Sequence, residues 1–378
     1  MKAVRLSLWL LIDKLISGII SRKNWYKRTI REVLHMKISE KDFGKGYHLI
    51  TLENEHGFRL SVSDLGARIV RLGKDTELIL GFDSAEEYLE KDPYIGASIG
   101  RTAGRIQHGH FTLAGKNYQV ETDPATGHTL HGGPASFEAK KWEYTIEDGE
   151  EEASVLFKTL SPDGEYGFPG NLTVEVRYTL TKDNVWRLTT KGTTDQLTLF
   201  NPTNHVYFNL TGDPAQSIDE HTLWLNSDHF APVGTDVLPT GEIAKSTGSA
   251  FDFQTPRKLG DAFAASDEQK DQFGGFDHPF FLKEHTLENP AAKLTSPDGS
   301  VEVEMSTDAP SVVIFSANFG EDGPEMRGSK LVNHGGITFE TQVAPGAEQF
   351  PDFGSIAIAP MQPFESATEF KIKLKEAN

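Results

Sequence analysis

Cysteine is absent from all 378 residues, which excludes disulfides, thiolate nucleophiles and thiolate-held metal centres. Positive charge is scarce as well: 37 Lys and Arg stand against 55 Asp and Glu, for a net charge of −18. The few cations are unevenly spread. Residues 1–35 hold eight Lys and Arg and two Asp and Glu, an excess of six, so the remaining chain carries −24. So acidic a body repels phosphate backbones and anionic lipids, which argues against nucleic acid as a partner and against stable membrane association. Uncharged small molecules are unaffected by that field. Fixed-length repeats, low-complexity linkers and Gly-rich nucleotide fingerprints are missing from residues 40–378, and a serine-based triad is given no weight.

The first 35 residues differ from all that follow. Leu8, Leu11, Ile12, Leu15, Ile16 and Ile19 recur at helical spacing among basic residues, and Asp13 and Lys14 interrupt the apolar run. The run is too short and too charged to span a bilayer, and it lacks the unbroken stretch and cleavage site of a signal peptide. A basic amphipathic helix at a membrane surface is a second reading. The preferred expectation is an upstream extension outside the fold, because Met36 opens an ordinary polar start. Arg31-Glu32-Val33 could be encoded by a purine-rich ribosome-binding sequence ahead of that Met36. Residues 36–378 are expected to form a single domain, and the reaction is expected in the cytoplasm.

From about residue 40 the chain reads as short alternating runs separated by turn residues. Leu172–Tyr178 alternates apolar and polar positions, as do Phe58–Val62 and Ala67–Leu72. Asp148-Gly149, Asp163-Gly164, Asp298-Gly299, Asp322-Gly323 and Lys182-Asp183-Asn184 supply tight reversals. Helical stretches are brief, with Ser84–Glu90 and Leu259–Ala265 the best candidates. The expected fold is all-β: one large antiparallel β-sandwich with few short helices.

Ten residues carry the strongest chemical signal, Asn201 to Leu210. A period of two places Thr203, His205, Tyr207 and Asn209 on one face and Val206, Phe208 and Leu210 on the other. An imidazole held on a strand among polar neighbours suits proton transfer near neutral pH. The bland reading is a satisfied histidine on a solvated sheet face. Ile337–Val343 repeats the logic, with Thr338, Glu340 and Gln342 together on one side; alone, Glu340 reads as a surface carboxylate. In Leu130-His131-Gly132-Gly133, the glycines permit a tight backbone and close approach of a ligand. Gly100–Ile106 sets Arg101 and Arg105 four apart, and Phe276-Asp277-His278-Pro279 puts a carboxylate before a proline-restricted turn. Metal ligation by His128, His131 and His205, or by His108 and His110, lacks a familiar spacing, and no metal is expected.

Taken together and in order, these segments resemble the aldose 1-epimerase (galactose mutarotase) family. Asn201–Leu210 matches its signature. Gly100–Ile106, Leu130–Gly133, Asp236–Glu242, Phe251-Asp252-Phe253, Gly275–His278, Phe339–Gln342 and Pro351-Asp352 follow the family order over residues 40–372. The resemblance implies a mutarotase-like supersandwich with a sugar cleft on one sheet face and no cofactor. It implies Glu340 as general base and His205 as general acid, with His131 steadying charge at the ring oxygen and holding the sugar. Arg105 and Asp277 would contact sugar hydroxyls. The implied reaction interconverts the α and β anomers of free aldohexoses such as galactose and glucose, by a monomer or homodimer. Competing readings are a hexose-phosphate mutarotase, a glycoside hydrolase built on Asp277 and Glu340, and a non-catalytic carbohydrate-binding protein. Two departures stand out. Gly104 replaces an asparagine, and Pro360–Glu365 lacks the usual Pro-Gly-Glu turn.

Overall fold

The computed structural model describes residues 36–375; the expected extension at residues 1–35 lies outside them. Period-two alternation builds the largest sheet. In Leu172–Thr181 the side chains of Leu172, Val174, Val176, Tyr178 and Leu180 are buried, and their odd-numbered neighbours Thr173, Glu175 and Arg177 are half-buried. Nine antiparallel strands make this sheet. In spatial order they are Glu143–Asp148, Glu152–Ser161, Leu172–Thr181, Val185–Thr194, Phe364–Leu374, Val301–Thr307, Ala292–Thr295, Thr222–Leu225 and Arg257–Lys258. Four of the reversals expected from sequence sit between its neighbouring strands: Asp148-Gly149, Asp163-Gly164, Lys182–Asn184 and Asp298-Gly299. Asp322-Gly323 instead lies in a loop ahead of the small ladder between Glu325–Met326 and Ser329–Lys330.

A four-stranded sheet, Lys37–Gly44, Tyr47–Glu53, Arg59–Ser63 and Arg68–Gly73, covers one part of the large sheet. A five-stranded sheet covers another: Ala244–Lys245, Ser227–Phe230, Asp277–Leu282, Ser311–Phe315 and Glu340–Gln342. One continuous core draws on all three, including Ile50 and Leu60, Phe157 and Trp186, and Phe280 and Ile314. Trp186 stacks on Phe370 at 4.6 Å between centroids, and each such fully buried apolar side chain contributes about 1.5–3 kcal/mol. The architecture is the expected all-β sandwich.

Helices are short. Ala85–Glu90 is capped by Ser84, whose hydroxyl accepts from the Glu87 amide, and Leu259–Ala264 follows as expected. A third, Glu268–Phe273, is capped by Asp267 and was not foreseen. Two expectations need correction. Asp277 and Pro279 lie inside the strand Asp277–Leu282, not before a turn; Pro279 faces Val313, and its carbonyl accepts from Ala231. The Asn201–Leu210 segment is not one strand but two short ladders. Thr203–Asn204 pairs with Ser98–Ile99, whereas Tyr207–Phe208 pairs with Ile337–Thr338. The chain changes partner at His205, and the face expected to be polar is buried throughout.

Candidate active site

That change of partner brings the two most informative segments together. Tyr207 pairs with Thr338 in an antiparallel register, so stepping two residues along each chain sets His205 against Glu340. The contact is made: His205 Nε2 lies 3.6 Å from Glu340 Oε1, with both side chains almost wholly buried. Asn201 fastens the far end of the register, accepting from the Val343 amide and donating to the Val343 carbonyl at 3.0 and 2.9 Å. The bland readings of each residue taken alone, a surface carboxylate at 340 and a solvated histidine at 205, do not hold.

An open cleft of about 700 Å³ runs past this pair. His205, Glu340, His131, Arg105 and Asp277 all line it, so the five residues singled out from sequence converge. Its remaining wall is mostly apolar, from Val233, Val237, Pro239, Val313, Phe315 and Pro345. Val237 and Pro239 come from the Asp236–Glu242 motif, and the Asp236 carboxylate lies 3.6 Å from the buried His128.

Burial sets the electrostatics. Desolvation pushes the Glu340 carboxyl up to about 8, against the opposing pull of the Thr338 hydroxyl at 3.2 Å and the Arg105 guanidinium. The same desolvation depresses His205, opposed by the negative charges of Asp92 and Asp277. Both partners are driven toward their neutral forms, so the pair holds one proton and no net charge. Asp277 is raised to about 6, again by burial, with Arg105 opposing. His131 falls well below the ordinary histidine value through burial and the neighbouring His205 and Arg105.

His131 is held in one tautomer. The Gly104 amide donates to its Nδ1 at 3.2 Å and the His131 amide donates to the Gly104 carbonyl, so in the neutral ring the proton sits on Nε2. Tyr94 packs against this ring at 4.9 Å and Tyr207 stacks on His205 at 5.1 Å. Neither aromatic was singled out for the site in its own right. Tyr94 stands beside Pro93, outside every motif.

Several residues that looked functional serve the fold. Arg101 parts from Arg105: only 1% exposed, it donates to the carbonyls of Ser161, Pro162, Pro169 and Gly170 and to the hydroxyls of Ser161 and Thr198. Gly132 and Gly133 admit neighbouring protein rather than a ligand. A Cβ on Gly132 would meet the Gly100 carbonyl oxygen at 2.2 Å, and one on Gly133 would meet Tyr166 at 2.8 Å. Asn204 and Asn209 spend their amides on backbone carbonyls. One Gly-x-Ser-x-Gly string does occur, at Gly96–Gly100. Its Ser98 is buried on a strand and donates to the Ala67 carbonyl at 2.7 Å, so it has the place of a structural hydroxyl. Among the described residues, no three His, Asp or Glu side chains are arranged to hold a metal ion.

Fold and cleft together define a sugar-isomerase sandwich of the mutarotase type, and comparison with known proteins makes the family explicit. The sequence model of the family described as aldose 1-epimerase matches residues 48–371. Haemophilus influenzae aldose 1-epimerase is 34% identical over 87% of this chain and 97% of its own length. Galactose mutarotase of Bos taurus is 35% identical over 80% of this chain and 86% of its own. The crystal structure of galactose 1-epimerase from Lactobacillus acidophilus superposes with a TM-score of 0.81 at 30% identity, covering 91% of this chain and all of that one. The chain belongs to the aldose 1-epimerase family, and it is an isomerase that interconverts the anomers of aldoses. Among the described residues no helix is long and apolar enough to cross a membrane.

Proposed function

We propose that the cleft binds free aldohexoses such as galactose and glucose, with Glu340 as general base and His205 as general acid. Anomer exchange needs one proton removed from the C1 hydroxyl and one delivered to the ring oxygen. With the pair's one proton placed on His205, Glu340 takes the first and His205 gives the second, which leaves Glu340 protonated and His205 neutral. The C1–O5 bond breaks to open the ring to the aldehyde, C1 rotates about its bond to C2, and the steps run in reverse. No electron or group leaves the sugar. Each transfer accounts for about 10²–10⁴-fold of the acceleration. Arg105 and Asp277 hold hydroxyls, and His131 donates from Nε2 toward the ring oxygen, where charge develops on opening. The observation that carries this reading is the 3.6 Å approach of His205 Nε2 to Glu340 Oε1 in a cleft shared with the other three side chains.

A hexose phosphate suits this cleft less, because its lining holds one guanidinium, no lysine and two carboxyls. Polarimetry is the test. Glu340→Gln and His205→Asn should each lose orders of magnitude in turnover on galactose and glucose while keeping a wild-type circular dichroism spectrum. Near-normal rates in either variant would overturn the assignment. Sugar binding without any acceleration by the wild type would indicate a carbohydrate-binding protein. Release of reducing ends from oligosaccharides would indicate a hydrolase.

A further inference from the structure

Of the polar side chains that line the cleft, Gln342 is the one left without a role. It is 3% exposed, and neither Nε2 nor Oε1 has a hydrogen-bond partner among the described residues. A buried amide with both ends unpaired costs about 1–3 kcal/mol per group, and folds seldom retain one unless something completes it. The backbone fixes where it points. Gln342 follows Glu340 by two residues, so both side chains leave the same face of the strand Glu340–Gln342. Across the sheet, Asp277 faces Phe315, Glu340 faces Val313 and Gln342 faces Ser311. Asp277 and Gln342 therefore flank Glu340 on opposite sides, each about 7 Å along the strand direction. The wall around them is largely apolar and offers the amide no other partner.

We infer that Gln342 is a further substrate-binding residue, its Nε2 donating to and its Oε1 accepting from hydroxyls of the bound aldose on the side of Glu340 away from Asp277. One donor and one acceptor in a single planar group suit a polyol, whose every hydroxyl can play either part. Such a site rejects an analogue lacking the matching hydroxyl, because the amide is then left unpaired again. The inference rests on the proposed sugar cleft, and the test separates the two.

Gln342→Met keeps the shape and removes both polar atoms; Gln342→Asn keeps the amide but withdraws it by one methylene. Each is assayed by polarimetry on the parent aldose and on its monodeoxy analogues at every carbinol position. In the wild type, each analogue lacking a hydroxyl that Gln342 contacts should lose about ten-fold in kcat/KM. In Gln342→Met that penalty should vanish while the penalties of the other analogues persist, and KM for the parent sugar should rise. Gln342→Asn should show the same pattern in weaker form. Thermal stability of sugar-free Gln342→Met should equal or exceed that of the wild type. Uniform losses across all analogues with a lowered melting temperature would assign a structural role and overturn the inference, as would kinetics identical to the wild type. A wild type inactive on every parent aldose would instead defeat the sugar cleft itself.

Discussion

His205 and Glu340 face one another two residues beyond the antiparallel pairing of Tyr207 with Thr338, with imidazole and carboxyl 3.6 Å apart. The His205 backbone is bonded to Gly96 and Ala97, and Glu340 pairs with Val313, so each side chain stands on a hydrogen-bonded frame before any sugar arrives. Groups on strands are held more closely than groups on loops, which suits a reaction needing two concerted proton transfers.

The pH profile should follow the shared proton. The fully protonated pair loses its first proton at the depressed imidazole, and the last leaves at about 8. Only the one-proton form contains both a base and an acid. Polarimetric kcat/KM should therefore hold level across neutral pH and fall above about pH 8. Continued increase into alkaline solution, after correction for the uncatalysed rate, would contradict the assignment.

Glu340 should also weigh against stability. Its folded value of about 8 exceeds the ordinary 4.5, so between those values the unfolded chain binds fewer protons than the native one. Stability then falls as pH rises through this window. Glu340→Gln is isosteric and does not titrate; its melting temperature at pH 8 should exceed that of the wild type by about 2–4 °C, with little difference at pH 4. Calorimetry at both pH values provides the comparison.

Gly104 should resist replacement, even by the asparagine common in the family. Its φ is +77°, and a Cβ there would meet Pro345 at 2.6 Å. Gly104→Ala should cost about 1–3 kcal/mol in chemical denaturation and lower kcat by disturbing the amide that holds His131. Gly104→Asn should lose activity on galactose rather than gain it, because Pro345 occupies the space its side chain needs.

Arg101 and Arg105 should separate cleanly in mutagenesis. Arg101→Lys loses the planar fork that bridges four carbonyls and two hydroxyls, and should destabilise by about 2–4 kcal/mol while the folded fraction keeps near wild-type activity. Arg105→Lys should do the reverse, raising KM with little change in unfolding midpoint.

Much of this was legible in the chain before its fold. Alternation in Leu172–Tyr178 and the hairpin turns announced a sandwich, and the same period put Glu340 and Gln342 on one face. The pairing of 205 with 340 was not legible, because 135 residues separate them and local pattern carries no register. Burial misled in the opposite sense. Taken one at a time, His205 and Glu340 read as surface groups, because strand periodicity marks a face as polar without saying whether solvent reaches it. Arg101 and Arg105 looked alike, and only the loops closing around Ser161 and Gly170 distinguish them. Gln342 drew attention as a neighbour of Glu340, but its unpaired amide exists only in three dimensions.

The proposed proton exchange has one more consequence. On the proposed roles, opening the ring moves a proton from the C1 hydroxyl onto the Glu340 carboxylate and another from the His205 imidazolium to the ring oxygen, so the cleft ends each half-reaction with the count it began with. Nothing need be borrowed from or returned to the medium. On the proposed assignment turnover should be indifferent to buffer concentration, and net flux should follow only the imbalance of the two anomers.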